Sequence, residues 1–311
     1  MPDRSPLVVV ITTGGTIAST VDEDGVSSPT LGGADLLGSA AEELGVRVRV
    51  VEALRVDSST ITLTQAWTIR THVAEALADP AVDGVVVLHG TDSLEETGYL
   101  LDLHHDDPRP VVLTGSQRTA DHPEPDAPAN VAEALRLAVD ARARGRGVLV
   151  AFGGRVHAAA GLAKRHTTDL DAFWVPDGPL PRMLVAPGAG DWPRVDVVAV
   201  SPGTDGALVD AVRGLGGRGI VLQGLGSGNA TTDVVAAVAR AVAREVAVVV
   251  TTRVPTGPVA SSYGAGGGGS ELAAVGAVPA GRLRSGQARV LLATLLRSGS
   301  GDLAREFARR G

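Results

Sequence analysis

The sequence has no cysteine and only one lysine. The absence of cysteine among 311 residues excludes thiol catalysis, disulfide bonds and thiolate metal sites, and is compatible with both cytosol and an export compartment. Of the 28 basic residues, Lys164 is the only lysine and 27 are arginine. Because arginine keeps its proton in a protein whereas lysine can release it, Lys164 is a candidate for proton transfer. The alternative is a surface lysine retained by chance.

The sequence also has no long apolar run. No stretch approaches the roughly 20 apolar residues that span a bilayer. The start, Met1–Pro6, lacks the basic segment and long apolar run of a secretory signal, so we expect a cytoplasmic protein. The net charge of −7 argues against nucleic acid or an anionic membrane as a partner. With 44% hydrophobic and 20% charged residues, the composition is typical of a soluble globular protein of one or two domains.

Strand-like and helix-like patterns alternate along the chain. The predicted strands are Leu7–Thr12, Val46–Val51, Gly84–Leu88, Pro110–Leu113, Val148–Phe152, Val195–Val200, Gly219–Gln223 and Val246–Thr251. The predicted helices are Ala34–Leu44, Thr64–Ala78, Ser93–Leu103, Ala129–Arg142, Asp205–Leu215, Thr231–Ala243 and Ser285–Arg297. This alternation predicts an α/β fold with parallel sheets covered on both faces.

A proline-rich stretch interrupts the alternation. Five prolines and several glycines fall within residues 176–193, which we interpret as a linker. The sequence therefore predicts a larger N-terminal α/β domain over residues 1–175, which carries the site at the carboxyl ends of its strands. A smaller C-terminal α/β domain is predicted over residues 194–311.

Two strands of the first domain end in turns that expose threonines. Thr13–Ser19 follows the first strand, and His89–Glu96 follows the third. Ligands of parallel sheets collect at the strand carboxyl ends, so Thr16, Thr91 and Asp92 are expected around one crevice. The structural alternative is a tight turn followed by a helix cap, since the stretch from Ser93 to Glu96 also matches a capping box.

A threonine nucleophile needs a base. None of the seven histidines fits a Ser-His-Asp order: His89 is expected to be packed, and His104–Asp107 is expected to be a solvated loop without metal. Lys164 is left as the base, steered by Asp92. Asp92 lies near a helix N-terminus, which favours its ionised form, and could bind the ammonium group of an amino acid.

These segments resemble bacterial-type L-asparaginases, the asparaginase–glutaminase family, over nearly the whole chain. Thr13–Ser19 is similar to the first family signature and His89–Thr97 to the second. Lys164–Asp169 is similar to the segment with the catalytic lysine, and Asp57–Ser59 to the loop with the substrate-binding serine. The segments Gly226–Asn229, Arg253–Gly257 and Gln287–Leu292 resemble parts of the smaller domain.

The resemblance implies hydrolysis of L-asparagine to L-aspartate and ammonia through a threonyl acyl-enzyme, and leaves some glutaminase activity open. Thr16 would be the nucleophile, and Thr91, Asp92 and Lys164 would complete the catalytic group. Ser58 and Asp92 would hold the substrate carboxylate and ammonium. The other expected substrate contacts are Gly15, Ser59, Gly90, Thr91 and Asn229.

The expected assembly is a homotetramer built from intimate dimers, in which Asn229 reaches a neighbouring subunit's site. The mechanism calls for no metal and no organic cofactor. The glycines of the two turns could direct backbone N–H groups at the oxygen that becomes negative.

The sequence departs from the family pattern in three places. The lid tyrosine is missing from Val21–Leu31, where Val26 is the nearest counterpart, and Ser59 replaces a glutamine. Tyr263–Ser270 replaces the loop with the partner subunit's acid. We hypothesise that Tyr263 restores the missing hydroxyl, and we expect the Gly264–Gly269 loop to be flexible and not a phosphate cradle.

Three other readings compete with an asparaginase. An amidotransferase subunit for glutamyl-tRNA shares these motifs but carries an additional N-terminal domain, whereas Leu7 already begins the first strand here. An amino-acid sensor would keep the crevice without turnover, and an ammonia-release assay would separate it from an enzyme. A dinucleotide-binding oxidoreductase is disfavoured because no G-x-G-x-x-G follows the first strand.

Overall fold

The chain folds into two α/β units, Met1–Val175 and Pro176–Gly311. A computed structural model describes residues 5–21, 27–29, 37, 39–264 and 266–311. Val26, much of Val21–Leu31 and the beginning of the predicted helix Ala34–Leu44 lie outside the described residues. Within the described part, no helix combines the length and apolar character needed to cross a bilayer.

The first unit is built around a parallel sheet. Its strands are β1 (Leu7–Thr12), β2 (Ser19–Val21), β3 (Ser27–Pro29), β4 (Arg47–Glu52), β5 (Gly84–Leu88), β6 (Val111–Thr114), β7 (Val148–Phe152), β8 (Arg155–Ala158), β9 (Ala163–Lys164) and β10 (Phe173–Trp174). Its helices are α1 (Ala40–Glu43), α2 (Leu63–Ala78), α3 (Leu94–Asp102) and α4 (Ala127–Ala138), with 3₁₀ turns at Thr16–Ala18, Ser58–Thr60 and Ala141–Ala143.

The six-stranded sheet has the order β4-β1-β5-β6-β7-β8, and its strands are parallel except for β8. Both faces are buried. Along β1, Val9 and Ile11 belong to one core cluster, and Val8 and Val10 belong to the other. The near-continuous run of β-branched residues follows from this, because each face of a covered parallel sheet needs apolar side chains.

The sheet brings three loops to one edge. In the register of β1 with β5, Thr12 is opposite Leu88, so these strands end side by side. The ladder extends one residue further, since the Thr13 N–H donates to the Leu88 carbonyl over 3.1 Å. The His89 N–H donates to the Thr114 carbonyl at the end of β6 over 2.9 Å. The loops that follow β1, β5 and β6 therefore emerge together.

The second unit has its own parallel sheet, in the order β11-β12-β13-β14. Its strands are β11 (Val195–Ala199), β12 (Gly219–Gly224), β13 (Ala247–Thr252) and β14 (Val278–Pro279). Its helices are α5 (Ala207–Gly214), α6 (Thr232–Val242), α7 (Gly269–Ala274), α8 (Ser285–Ser298) and α9 (Leu303–Ala308).

The segment 176–193, interpreted above as a linker, has no helix or strand but is fixed to the second unit. The Asp177 carboxylate accepts from the Gly257 N–H over 2.9 Å and pairs with Arg284 over 2.9 Å. The Arg310 guanidinium donates to the Met183 carbonyl over 3.2 Å. These contacts satisfy polar groups that a free linker would leave to water.

The glycine loop after Tyr263 was expected to open no helix, and this is wrong, because the loop leads directly into α7. The Glu271 carboxylate accepts from the Gly266 and Gly268 N–H groups, each over 2.8 Å. These backbone hydrogen bonds hold the pKa of Glu271 below its usual value. The loop amides thus hold an anion that the chain itself supplies.

Candidate active site

The turns after β1 and β5 contact each other through glycine. Gly15 has φ +83°, and a Cβ there would lie 2.5 Å from the Gly90 Cα. Gly14 has φ +94°, and its Cβ would lie 2.6 Å from the Val56 carbonyl oxygen. Both positions need glycine, for the left-handed backbone and for the close approach. Thr16 and Thr91, which follow Gly15 and Gly90, consequently occupy adjacent loops.

Ser58 connects a third loop to this point. Its side chain is buried, and its Oγ accepts from the Asp92 N–H over 3.2 Å. The Ser93 hydroxyl donates to the Ser58 carbonyl over 2.6 Å. A Cβ on Gly90 would lie 2.5 Å from the Ser58 Oγ. Since the Ser58 oxygen accepts in this contact, its own proton remains able to donate to a ligand.

Lys164 meets both residues of the second turn. Its Nζ lies 2.8 Å from the Thr91 Oγ1 and 3.1 Å from the Asp92 Oδ1. The Lys164 side chain is 22% exposed whereas that of Asp92 is 56% exposed. The ammonium is therefore largely enclosed, while the Asp92 carboxylate still faces solvent and can meet a second cation.

A short ribbon holds Lys164 in place. β9 pairs with β10 in antiparallel fashion, with Lys164 opposite Phe173. Phe173 is buried and packs edge-to-face on Phe152 at the end of β7, with ring centroids 5.1 Å apart. On the other side, the Lys164 N–H donates to the Glu95 carboxylate of α3. Aromatic packing and a hydrogen bond to the Glu95 side chain thus fix the backbone that carries the lysine.

A cavity opens where these side chains converge. It has a volume of about 390 Å³ and is lined by Asp92, Lys164, Arg165, His166 and Thr167. This volume lies in the range of small-ligand pockets, and its lining carries both signs of charge. The lining includes Asp92 and Lys164 of the candidate site but not Thr16, Ser58 or Thr91.

Two buried titratable groups lie beside the site. Burial and the neighbouring Glu96 carboxylate together raise the pKa of Glu95 to about 8, against the opposing hydrogen bond and charge of Lys164. Burial lowers the pKa of His89 to about 4. The His89 Nδ1 donates to the Gly90 carbonyl over 2.7 Å, so this ring is neutral and packed, as expected from the sequence.

Two local expectations are wrong. Ser93 is the N-cap of α3 but makes no side-chain capping bond, because its hydroxyl binds Ser58 instead. His104 and His105 are not on a solvated loop: His105 is buried with its Nε2 3.0 Å from the Arg109 carbonyl, and His104 packs edge-to-face on Trp67. No cluster of three metal-ligating side chains occurs among the described residues.

The contacts described for three further predicted residues are local ones. Ser59 is exposed, and its N–H donates to the Asp57 carboxylate over 2.8 Å. Asn229 belongs to the second unit, where its Oδ1 accepts from the Gly269 N–H over 3.3 Å. Tyr263, in the same unit, is 61% exposed. Their roles at the site stay predictions.

Sequence reasoning missed Gln117 and Glu95. Gln117 follows β6, and its side chain accepts a hydrogen bond from the Thr91 hydroxyl over 3.2 Å. The rule that singled out Thr16 and Thr91, polar residues after a strand of the central sheet, could have found it. Glu95 was treated as part of a helix start, and only the fold brings it to Lys164.

Sequence comparison matches the chain to two family descriptions. "Asparaginase, N-terminal" covers residues 7–186, and "Glutaminase/Asparaginase C-terminal domain" covers residues 194–305. Together they span both units.

Known proteins are similar over nearly the full length. A "Probable L-asparaginase" from Deinococcus radiodurans is 35% identical, over 99% of this chain and 98% of its own. An "L-asparaginase" from Bacillus licheniformis is 33% identical, over 94% and 95%. The crystal structure of a probable cytoplasmic L-asparaginase from Campylobacter jejuni superposes with a TM-score of 0.87 at 26% identity and covers 98% of each chain.

Proposed function

The chain belongs to the asparaginase family, and we propose that it hydrolyses the side-chain amide of L-asparagine through an ester on Thr16. One observation carries the assignment of residues. The Nζ of Lys164, the only lysine of the chain, lies 2.8 Å from the Thr91 hydroxyl and 3.1 Å from the Asp92 carboxylate. Thr91 and Asp92 belong to the loop whose Gly90 contacts the Thr16 turn. The names of the relatives support the substrate class.

The reaction has two steps of the same kind. The Thr16 oxygen bonds to the amide carbon, and its proton passes to the base. The carbon–nitrogen bond then breaks, and the nitrogen takes up a proton and leaves as ammonia. Water next adds to the ester carbon and gives a proton to the base, and L-aspartate leaves as Thr16 regains its hydroxyl proton.

The remaining residues bind and polarise the substrate. Asp92 holds the substrate ammonium, and Ser58 donates to its carboxylate. Backbone N–H groups of the Gly14–Gly15 turn and of Gly90 face the oxyanion, where one donor is worth roughly 3 kcal/mol. Thr91 stands between Lys164 and the reacting atoms, and its oxygen accepts a hydrogen bond from the Lys164 Nζ.

The proposal extends to the assembly and its location. We infer a homotetramer built from intimate dimers, in which Asn229 of one subunit completes the site of another. We also infer a cytoplasmic enzyme, as the name of the Campylobacter jejuni relative says of that protein. Gel filtration with light scattering tests the first, and fractionation of the source cells tests the second.

The test is ammonia release by the purified chain from L-asparagine, L-glutamine and the D-isomers. Asparagine turnover is expected, and Thr16→Ala and Lys164→Met should each reduce it by about 10²-fold or more. Thr68→Ala is the control, since Thr68 lies on α2 and its hydroxyl donates to the Thr64 carbonyl of the same helix. Asparagine binding without ammonia would support an amino-acid sensor and contradict the proposal.

A further inference from the structure

The Gln117 side chain joins the Thr91 hydroxyl to the segment that follows Lys164. Its Oε1 lies 3.2 Å from the Thr91 Oγ1. Its Nε2 lies 3.3 Å from the Thr167 carbonyl and 3.1 Å from the Asp169 carbonyl. One amide thus spans the carboxyl end of β6, the turn after β5 and the segment between β9 and β10.

The hydrogen-bond partners determine which side of the Gln117 amide is oxygen and which is nitrogen. Both carbonyl oxygens only accept hydrogen bonds, so the amide nitrogen must face them. The amide oxygen therefore faces Thr91. Because that oxygen only accepts, the single proton of the Thr91 hydroxyl is committed to Gln117.

The direction of the next hydrogen bond follows. With its proton on Gln117, the Thr91 oxygen offers only lone pairs to the Lys164 Nζ, 2.8 Å away. The chain of donors then runs from Lys164 to Thr91 to Gln117. Each bond polarises the next, so the Thr91 oxygen is a stronger acceptor than an isolated hydroxyl.

The backbone of Gln117 is held as firmly as its side chain. The Asp126 carboxylate, just before α4, accepts from the Gln117 N–H and the Arg118 N–H, each over 3.0 Å. The Asn130 amide donates to the same carboxylate over 3.2 Å. The Gln117 amide is therefore preorganised before any ligand enters.

We propose that Gln117 is a positioning residue for the amide hydrolysis, which sets the direction of the Thr91 hydroxyl so that its lone pairs face Lys164. The proposal rests on the proposed function of the same site. Gln117 acts through Thr91 and does not touch the substrate. Without Gln117, the hydroxyl turns freely, and the Thr91 oxygen is no longer held as an acceptor for the Lys164 Nζ.

The kinetic test compares one variant with a matched control. Gln117→Met removes the acceptor and should lower kcat for asparagine about tenfold or more, with KM within about threefold, because alignment is lost while binding groups remain. Gln223→Met is the control, since Gln223 is also partly buried and donates to Ser285 in the second unit. It should keep the wild-type kcat.

A second readout is independent of turnover. Because Lys164 is the only lysine, its Cε gives a single NMR signal after lysine labelling. In Gln117→Met the Thr91 hydroxyl is free to donate to the neutral amine, so the signal should titrate at lower pH than in wild type. In Gln117→Glu the added carboxylate favours the ammonium, so it should titrate at higher pH. The other charged groups around Lys164, at Asp92, Glu95, Arg165 and His166, are unchanged in both variants.

The inference requires both the lower kcat and the shifted lysine titration in Gln117→Met. A wild-type kcat in Gln117→Met would overturn the inference, and so would a lower kcat with an unmoved lysine titration, since that marks a merely structural role. If Gln117→Met does not fold, as judged by circular dichroism, the kcat and the lysine titration of Gln117→Leu decide in the same way. An inactive wild-type enzyme would refute the proposed function, and the lysine titration would still test Gln117.

Discussion

The Glu95 carboxylate accepts a hydrogen bond from the backbone N–H of Lys164. This contact joins the first turn of α3 to β9 and holds the backbone of Lys164, while Thr91 and Asp92 contact the Nζ of its side chain. The carboxyl is buried beside Glu96, so its charge is costly. The support of the lysine therefore depends on pH.

Replacing Glu95 should change how stability depends on pH. The pKa of Glu95 is raised from 4.5 to about 8 in the folded protein, so the folded state binds the proton more tightly than the unfolded state. The contribution of Glu95 to the free energy of unfolding is fully present below pH 4.5 and is lost as pH rises through about 8. Glu95→Gln should remove this decline, as measured by urea unfolding at several pH values.

The control for that experiment is Glu75→Gln, which removes an exposed carboxylate from α2. Its unfolding free energy should follow the wild-type curve. If the unfolding free energy of Glu95→Gln also follows the wild-type pH dependence between pH 5 and 9, burial does not raise the pKa of Glu95.

His89 should remain neutral in mildly acidic solution. Burial lowers its pKa to about 4, and its Nδ1–H binds the Gly90 carbonyl. Nitrogen NMR should therefore find Nδ1 protonated and Nε2 unprotonated down to about pH 5. The stability from this group is present above pH 6.5 and is lost as pH falls through about 4. A midpoint near that of histidine in the urea-unfolded chain would contradict the prediction.

A methyl group at Gly15 should disrupt the site. The Cβ of Gly15→Ala would lie 2.5 Å from the Gly90 Cα, so the two catalytic turns must separate. Activity should fall by about 10²-fold, as expected for a displacement near 1 Å. Gly145→Ala is matched, because Gly145 has φ +73° but nothing within 4 Å of a Cβ. It should cost only about 1–2 kcal/mol of stability and keep activity. Equal activity of the two variants would show that the contact is not needed.

Tyr263 should contribute its hydroxyl to turnover. The side chain is 61% exposed, so Tyr263→Phe should leave the melting temperature unchanged. If Tyr263 replaces the missing lid tyrosine, kcat should fall about tenfold, within the range of a general acid–base contribution or below it. Unchanged turnover would remove Tyr263 from the mechanism.

Asn229 should act across a subunit interface. Thr16→Ala and Asn229→Ala homo-oligomers should both be weakly active. Mixed oligomers from co-expression should regain activity, because some sites then combine an intact Thr16 with an intact Asn229 from the partner. The assay is ammonia release by tandem-purified mixed oligomers. No recovery would show that both residues serve the same subunit's site, and a fully active Asn229→Ala homo-oligomer would show that Asn229 is dispensable.

Much of the fold follows from sequence periodicity. The strands Leu7–Thr12, Gly84–Leu88 and Val148–Phe152 have the predicted bounds, because long buried β-branched runs between turn residues are a strong signal. The ribbon of β9 and β10 was not predicted, since two-residue strands have no periodicity. It forms because Phe173 packs on Phe152, a tertiary contact.

The sequence predicted those site residues that follow a strand directly, and Lys164 through its rarity. Thr91 and Asp92 follow β5, and Lys164 was noticed through its rarity, and the fold brings these three together. Gln117 also follows a strand and could have been found by the same rule, whereas Glu95 takes part through a hydrogen bond to a distant segment, which no local pattern encodes. Ser93 was misread for the same reason, because a partner 35 residues away competes for its hydroxyl.

The central claim is that Thr16 carries the acyl group. The most direct measurement is mass spectrometry of the enzyme quenched in acid during turnover of L-asparagine, followed by peptide mapping. The account predicts an adduct of one aspartyl group on the peptide that contains Thr16, absent in Thr16→Ala. Steady ammonia release by Thr16→Ala at the wild-type rate, with no adduct on either protein, would contradict it.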